Sequence, residues 1–279
     1  MGEKENIQIH HTAFLISNFR SYDEDLGQDV YAKLWNSQAN EKWIKQYLQE
    51  VSTEEVYSHC LRNSYFLDTI KGLIQENKIE VLLNFGCGFS MYPYLIDEEI
   101  IHIEIDKTEV LDFKNLKIKE WQEQNKIPYR KVHRIGVDFS QDYTHSLKEK
   151  IRQIKGNKSC FILVEGVLFF LDKEETQQLF SFFNSIQQKG DFIGSASFKD
   201  ELRTTTAYQN LINFLNKNVS EKDRRNYQTI PDSYYHDLEN YKVRDQQDYF
   251  KLSKKYHNPI RLARDLILNE NFYVLEKIN

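Results

Sequence analysis

The sequence predicts an α/β fold: a mostly parallel sheet covered by helices on both faces. Short apolar runs recur through the middle of the chain, at 79–85, 99–105, 131–137, 160–165 and 192–196. Amphipathic stretches such as 107–124 and 173–188 separate most of them. Strands alternating with helices at this spacing call for right-handed βαβ units, because parallel neighbours need a long crossover and a helix supplies it. Such units build a parallel sheet with both faces covered.

Taken in order, residues 1–75 read as a helical N-terminal cap. Tyr31, Leu34, Trp35, Trp43, Ile44, Tyr47 and Leu48 recur at three- and four-residue spacing, which sets one apolar face on a helix. Ser52-Thr53-Glu54-Glu55 offers a helix start, with carboxylates near the positive end of the helix dipole. Residues 76–199 hold the strand–helix core. A polar, Tyr-rich segment at 200–256 reads as a helical insertion able to serve as a substrate lid. A helix at 259–269 and a strand at 272–278 close the chain. With 279 residues, four scattered prolines and no linker, the chain is expected to be one domain.

Composition narrows the function. Lys and Arg number 37 against 42 Asp and Glu, a net charge of −5, so a strongly basic nucleic-acid face is not expected. Cys60, Cys87 and Cys160 are odd in number, widely spaced and without metal-ligand spacing, which suits a reduced, cytoplasmic protein. Apolar runs of six to eight residues are too short to span a bilayer, so no membrane segment is expected. The eight histidines, His10 and His11 included, do not pair at ligand spacing, and no metal is predicted. Oligomeric state is not encoded in any of these features.

The strand ends carry the chemistry. The first run, Val81-Leu-Leu-Asn-Phe-Gly86-Cys87-Gly88-Phe89, ends in Gly-x-Gly, where the backbone can turn sharply and approach a ligand. Met91 stands where a dinucleotide fingerprint has its third glycine, which favours a ligand without a pyrophosphate. The second run, Ile101-His-Ile-Glu104-Ile-Asp106, ends in acids. A carboxylate there can accept both ribose hydroxyls of an adenosine ligand. Asp106 is the better placed, with Glu104 auxiliary or structural, although either acid could instead cap the helix beginning near Thr108. The third run ends at Gly136-Val137-Asp138-Phe139. Asp138 suits the adenine amino group and Phe139 the ring face; the alternative is an N-cap. Glu165 leaves the fourth, apolar strand and requires a partner, because a buried unpaired charge is costly.

In this order the residues resemble the leucine carboxyl methyltransferase family, which also contains bacterial small-molecule O-methyltransferases, some acting on polyketides. The resemblance rests on Arg62, NFGCG, EIDKTEVLDFK, GVDF and VEGVLFFLDKEE. It runs from about Thr12 through Ser197 and resumes at the last strand, leaving 200–256 unmatched. It implies a Rossmann-like class I methyltransferase sheet, mostly parallel with an antiparallel C-terminal strand, and S-adenosylmethionine as cofactor. It further implies that Arg62 pairs with the methionine carboxylate, that the Gly86-Cys87-Gly88 turn meets the methionine portion, and that Asp106 meets the ribose. Asp138 and Phe139 would meet the adenine, and Glu165 the amino group near the transfer site. Ser90-Met91-Tyr92 departs from the Asp-Thr-Arg that members often carry, so the ion pair of those two residues has no counterpart here.

No His–Asp pair announces a general base, which mildly favours a carboxylate or acidic hydroxyl acceptor, since a carboxylate is already ionised at neutral pH. The leading expectation is an O-methyltransferase acting on a small molecule. Methylation of a protein C-terminus is the alternative the family name invites, and a non-catalytic adenosine-ligand-binding protein is a third. Arg203, Arg224 or Arg244 near the acceptor would favour a carboxylate. Tyr208, Tyr234, Tyr235 and Tyr241 could wall a substrate pocket, with packing at the core margin as the simpler role.

Overall fold

The computed structural model describes residues 12–139, 141–217 and 227–279. Its strands are β1 Val81–Phe85, β2 Ile101–Asp106, β3 Val132–Gly136, β4 Cys160–Val164, β5 Phe192–Phe198, β6 Tyr241–Asp248 and β7 Glu270–Lys277. They form one sheet in the order β3-β2-β1-β4-β5-β7-β6. Strands β1 to β5 are parallel, while β7 runs antiparallel to both β5 and β6. The chain therefore reverses its direction of winding between β1 and β4, and a crevice opens at their carboxyl ends.

The helices are α1 (12–20), α2 Glu24–Gly27, α3 Gln38–Glu50, α4 Glu55–Gln75, α5 Tyr92–Leu95, α6 Thr108–Glu123, α7 Thr144–Lys155, α8 Lys173–Ile186, α9 Thr206–Asn216, α10 Asp232–His236 and α11 Tyr249–Lys255. Every residue of β1 and β4 is buried, and alternation divides their side chains between two layers. Leu82, Phe161 and Leu163 pack with Phe66 and Ile70 of α4 and Ile118 of α6. Val81, Leu83, Cys160, Ile162 and Val164 pack with Leu147 and Ile151 of α7 and Leu179 and Phe183 of α8. Each large apolar side chain so buried contributes about 1.5–3 kcal/mol. Asp172 and Glu175 start α8 with a reciprocal capping box, which satisfies two otherwise free backbone donors.

Two expectations are corrected. Residues 241–248, read as part of a helical insertion, form edge strand β6. An edge strand is half solvated, and a register shift between Val243 and Asp245 breaks the period-two pattern that would have marked it. The helix expected at 259–269 reduces to a 3-10 turn at Arg264–Leu266. Ile260, Ala263 and Leu266 are exposed, while Ile267 and Leu268 are fully buried, Ile267 from extended backbone. No helix among the described residues is long and apolar enough to cross a membrane.

Candidate functional site

Apart from Arg62, which is on α4, the predicted residues lie at or beside the carboxyl ends of four adjacent strands, β3, β2, β1 and β4. In the turn after β1, Gly86 and Gly88 have φ of +70° and +45°, a region that side chains rarely adopt. A Cβ at Gly86 would also collide with Cγ2 of Val167. The Gly86 and Cys87 amides donate to the Ile105 carbonyl at 2.8 and 3.1 Å, tying the turn to β2. Burial pushes the Cys87 thiol well above its usual range. The N-terminal segment covers the turn: a Cβ on Gly88 would touch Ala13, and Phe14 and Trp35 pack on Phe89 at 4.7 and 4.4 Å.

Asp106 and Glu104 have different surroundings. Asp106 accepts from the Gly88 amide at 2.7 Å and from the Lys107 amide at 2.8 Å, one on each oxygen. Each oxygen keeps a lone pair for a further donor such as a hydroxyl. Burial raises its carboxyl above the ordinary value, opposed by the two amides. Glu104 is 1% exposed. It is bonded to Lys114 at 2.6 Å on one oxygen and Arg134 at 2.8 Å on the other. Burial alone would raise its carboxyl, but these two cations outweigh it and hold it below the usual range. Of the two roles open to Glu104 in the sequence, the geometry supports the structural one.

Lys114 also donates to the Ser90 carbonyl at 2.8 Å, and Asn84 donates to the Ser90 hydroxyl at 2.8 Å. The loop at Ser90-Met91-Tyr92 is thus fixed from α6 and β1.

Asp138 is exposed at the end of β3. It lies in a cleft of about 170 Å³ that Gly136, Val137 and Tyr143 also line. The Val137 amide donates to the Asp106 carbonyl at 2.9 Å, so the β2 and β3 tips are side by side. Phe139 meets Phe85 and Tyr143 edge-on, at 5.6 and 5.1 Å between centroids.

Glu165 follows β4 and has three neighbours. Arg20 of α1 donates to Oε2 at 2.7 Å, Tyr92 donates to Oε1 at 3.0 Å, and Arg62 Nε lies 3.6 Å from Oε1. Arg62 is held on its other side by Glu270, both of whose oxygens accept from Nη1, at 2.9 and 2.8 Å. The Nε atoms of Arg20 and Arg62 are buried without a hydrogen-bond partner. A buried donor left without a partner is a place for a water, an ion or a ligand atom.

Beyond Glu270, Glu55 accepts from the Tyr47 hydroxyl at 3.1 Å. Next to it is an apolar cap in which Phe19, Tyr47, Val56, Leu202, Tyr208, Leu211 and Phe214 pack together, with Phe169 and Phe198 against them.

Sequence reasoning missed Arg20, Glu55, Tyr92 as a partner of Glu165, and Glu270. The one local signal was Tyr92, which stands where the family often has Arg and, like that residue, is polar at its tip. Of the four tyrosines considered for a substrate wall, Tyr208 lies in the cap. Tyr234, Tyr235 and Tyr241 pack in the layer over α8, and Tyr235 stacks on Tyr273 at 3.8 Å while bonding Ser195 and Ser197. Arg203 bonds Thr229, and Arg244 pairs with Glu276 at the sheet edge, so neither is spare for an acceptor. Arg224, His10 and His11 lie outside the described residues. Among the described residues no three His, Cys, Asp or Glu side chains converge to hold a metal.

The leucine carboxyl methyltransferase family profile matches residues 20–184, more than half the chain. No curated protein matches it by sequence. A Thermobifida fusca protein taken to be a methyltransferase superposes with a TM-score of 0.66 at 12% identity, over 90% of this chain and 94% of that one. A DUF574 family protein from Streptomyces avermitilis gives 0.63 at 10% identity, over 95% and 97%. Magnesium protoporphyrin IX methyltransferase of Synechocystis gives 0.50 at 11%, over 91% and 100%. At these identities the likeness is one of fold. The profile covers α4, the Gly86-Cys87-Gly88 turn, Asp106, Asp138 and Glu165, and on that match the chain belongs to the leucine carboxyl methyltransferase family and is an S-adenosylmethionine-dependent methyltransferase.

Proposed function

We propose that the enzyme methylates an oxygen, carboxylate or hydroxyl, of a small molecule in the cytoplasm, and that the cofactor lies across the four strand ends. The observation that carries the cofactor placement is the pair of buried arginine Nε atoms beside Glu165, at the same sheet edge as the Gly86-Cys87-Gly88 turn. In this placement the methionine portion lies over Gly86, Cys87 and Gly88. Its carboxylate meets Arg62 and Arg20, for which a planar guanidinium is suited, and its ammonium meets Glu165. Asp106 takes the ribose through the lone pairs its amide donors leave free. Asp138 and Phe139 take the adenine.

The cofactor supplies a methyl group on a sulfonium whose thioether is already a good leaving group. The chain's own task is then alignment and exclusion of water. Tyr92 and Arg20 fix the Glu165 carboxylate, and Glu270 fixes the Arg62 guanidinium. The cap does the excluding: Phe169 stacks on Tyr227 at 4.7 Å and meets Tyr208 edge-on. These residues join the turn after β4 to the described residues 200–217 and 227–236, which we assign as the substrate lid. A continuous apolar roof supports a small acceptor over an extended peptide.

The test is incubation with radiolabelled S-adenosylmethionine and either an extract of small metabolites or whole lysate. Label in the organic-soluble small-molecule fraction is expected. Base-labile label on a protein band would instead establish C-terminal methylation and overturn the small-molecule reading.

A further inference from the structure

We infer that Glu55 is the proton-carrying member of the buried charge cluster. It is neutral before the cofactor enters and ionises when a sulfonium charge is added, so that the site separates the methyl donor from its thioether product by charge. The inference rests on the cofactor placement proposed above.

The argument begins with a charge count. Arg20 pairs with Glu165, and Arg62 with Glu270, all four side chains at most 8% exposed. Among these four the charges balance, and Asp29, 1% exposed beside Arg20, adds a further carboxyl. Glu55 is another carboxyl in the same cluster, 3% exposed, and among the described residues it makes no ion pair. The groups facing it are Tyr47 from α3, Glu270 from β7, and Arg62 and His59 from its own helix, His59 bonding the Glu55 carbonyl at 2.9 Å. An uncompensated carboxylate in such a setting keeps its proton. Burial and the Glu270 charge push the Glu55 carboxyl up to about 8, against the pull of Tyr47 and Arg62. Burial keeps Tyr47 and Tyr92 protonated and His59 neutral. It also raises the carboxyls of Asp29, beside Arg20, and of Glu270. Glu270 is held by Arg62 and Asp29 faces Arg20, whereas among the described residues Glu55 has no cation bonded to it.

S-adenosylmethionine brings one carboxylate, one ammonium and one sulfonium, a net charge of +1. S-adenosylhomocysteine has lost the sulfonium and brings none. Glu55 lies seven residues before Arg62 on one face of α4, about 10 Å along the helix. A unit charge at about that distance, with an effective dielectric constant of roughly 20, moves a proton equilibrium by about one pH unit. At pH 7.5 Glu55 thus passes from mostly protonated to mostly ionised, releasing about half a proton.

Titration calorimetry at pH 7.5 in phosphate and in Tris, whose ionisation enthalpies differ, counts that proton. S-adenosylmethionine should release about half a proton and S-adenosylhomocysteine none. Glu55→Gln should abolish the release and weaken S-adenosylmethionine about three-fold while leaving S-adenosylhomocysteine unchanged. Should that variant not fold, the wild-type affinity ratio of the two ligands serves: it should rise about ten-fold from pH 6 to pH 9. Equal proton release for both ligands, release retained in Glu55→Gln, or a flat ratio would overturn the inference while leaving the cofactor placement intact. Failure of either ligand to bind would overturn the placement itself, and the inference with it.

Discussion

Replacing Lys114 by Met keeps the length of the side chain and removes its charge. In the wild type its ammonium is 0% exposed and bonds Glu104 at 2.6 Å and the Ser90 carbonyl at 2.8 Å. The variant leaves Glu104 buried with Arg134 as its one cation, and leaves the Ser90 carbonyl without this donor. Breaking a buried pair by removing one partner costs about 3–5 kcal/mol, and the retained Arg134 contact argues for the lower end. A loss of about 3 kcal/mol is a large part of a typical 5–15 kcal/mol. It should lower the thermal midpoint by roughly 6–12 °C. Adding Glu104→Gln removes the stranded charge and should restore at least about 1 kcal/mol.

The pH dependence has a definite sign. The folded Glu104 carboxyl lies below its unfolded value, so its contribution is complete above the unfolded pKa and disappears as pH falls through the folded one. The deficit of Lys114→Met should therefore be greatest at neutral pH and narrow toward pH 4. Urea unfolding of the wild type and both variants at pH 7 and pH 4.5, followed by tryptophan fluorescence, measures it. A loss below about 1 kcal/mol at pH 7, or a deficit that does not narrow, would refute the structural role given to Glu104.

Burial pushes the His102 imidazole down to about 4, with both ring nitrogens unpartnered. Its folded value lies below the unfolded one, so stability should be complete above pH 6.5 and fall by up to roughly 3 kcal/mol toward pH 4; His102→Leu should flatten that part of a stability–pH curve. Gly86→Ala meets both a positive φ and Val167, and should cost about 2 kcal/mol or more in urea unfolding. Adding Val167→Ala should relieve only the collision. Cys60, Cys87 and Cys160 are free and buried, with the Cys60 thiol pushed up to about 12 by burial. A thiol reagent should therefore label none of them in the folded protein and all three in urea.

Much of the site was legible because its residues sit at the ends of local patterns. A buried run followed by Gly-x-Gly or an acid announces a strand end wherever it occurs. The four ends also appear along the chain in an order that one winding rule brings to a common edge. The partners were illegible for the opposite reason. Arg20 reaches Glu165 across 145 residues and Arg62 reaches Glu270 across 208, and no local pattern distinguishes a charge that will be buried by a distant element from one that stays solvated. Arg62 shows the consequence: the resemblance proposes it for the site, but the carboxylate that holds it in the protein could not be read from the sequence. Strand β6 was hidden by its position at the edge, where one solvated side and a register shift erase the alternation that marks interior strands. The helix expected at 259–269 erred the other way: the segment buries Ile267 and Leu268, but it does so with only one 3-10 turn at Arg264–Leu266.

Calorimetry with S-adenosylmethionine on the wild type and on Asp106→Ala, Arg62→Ala and Glu104→Gln tests the account most directly. Binding should be clear in the wild type and at least about ten-fold weaker in Asp106→Ala and Arg62→Ala, each of which would lose the polar contact proposed for it. Glu104→Gln should bind within a few-fold of wild type at a temperature where it stays folded. No binding by the wild type, or unchanged binding in Asp106→Ala and Arg62→Ala, would contradict the cofactor site described here.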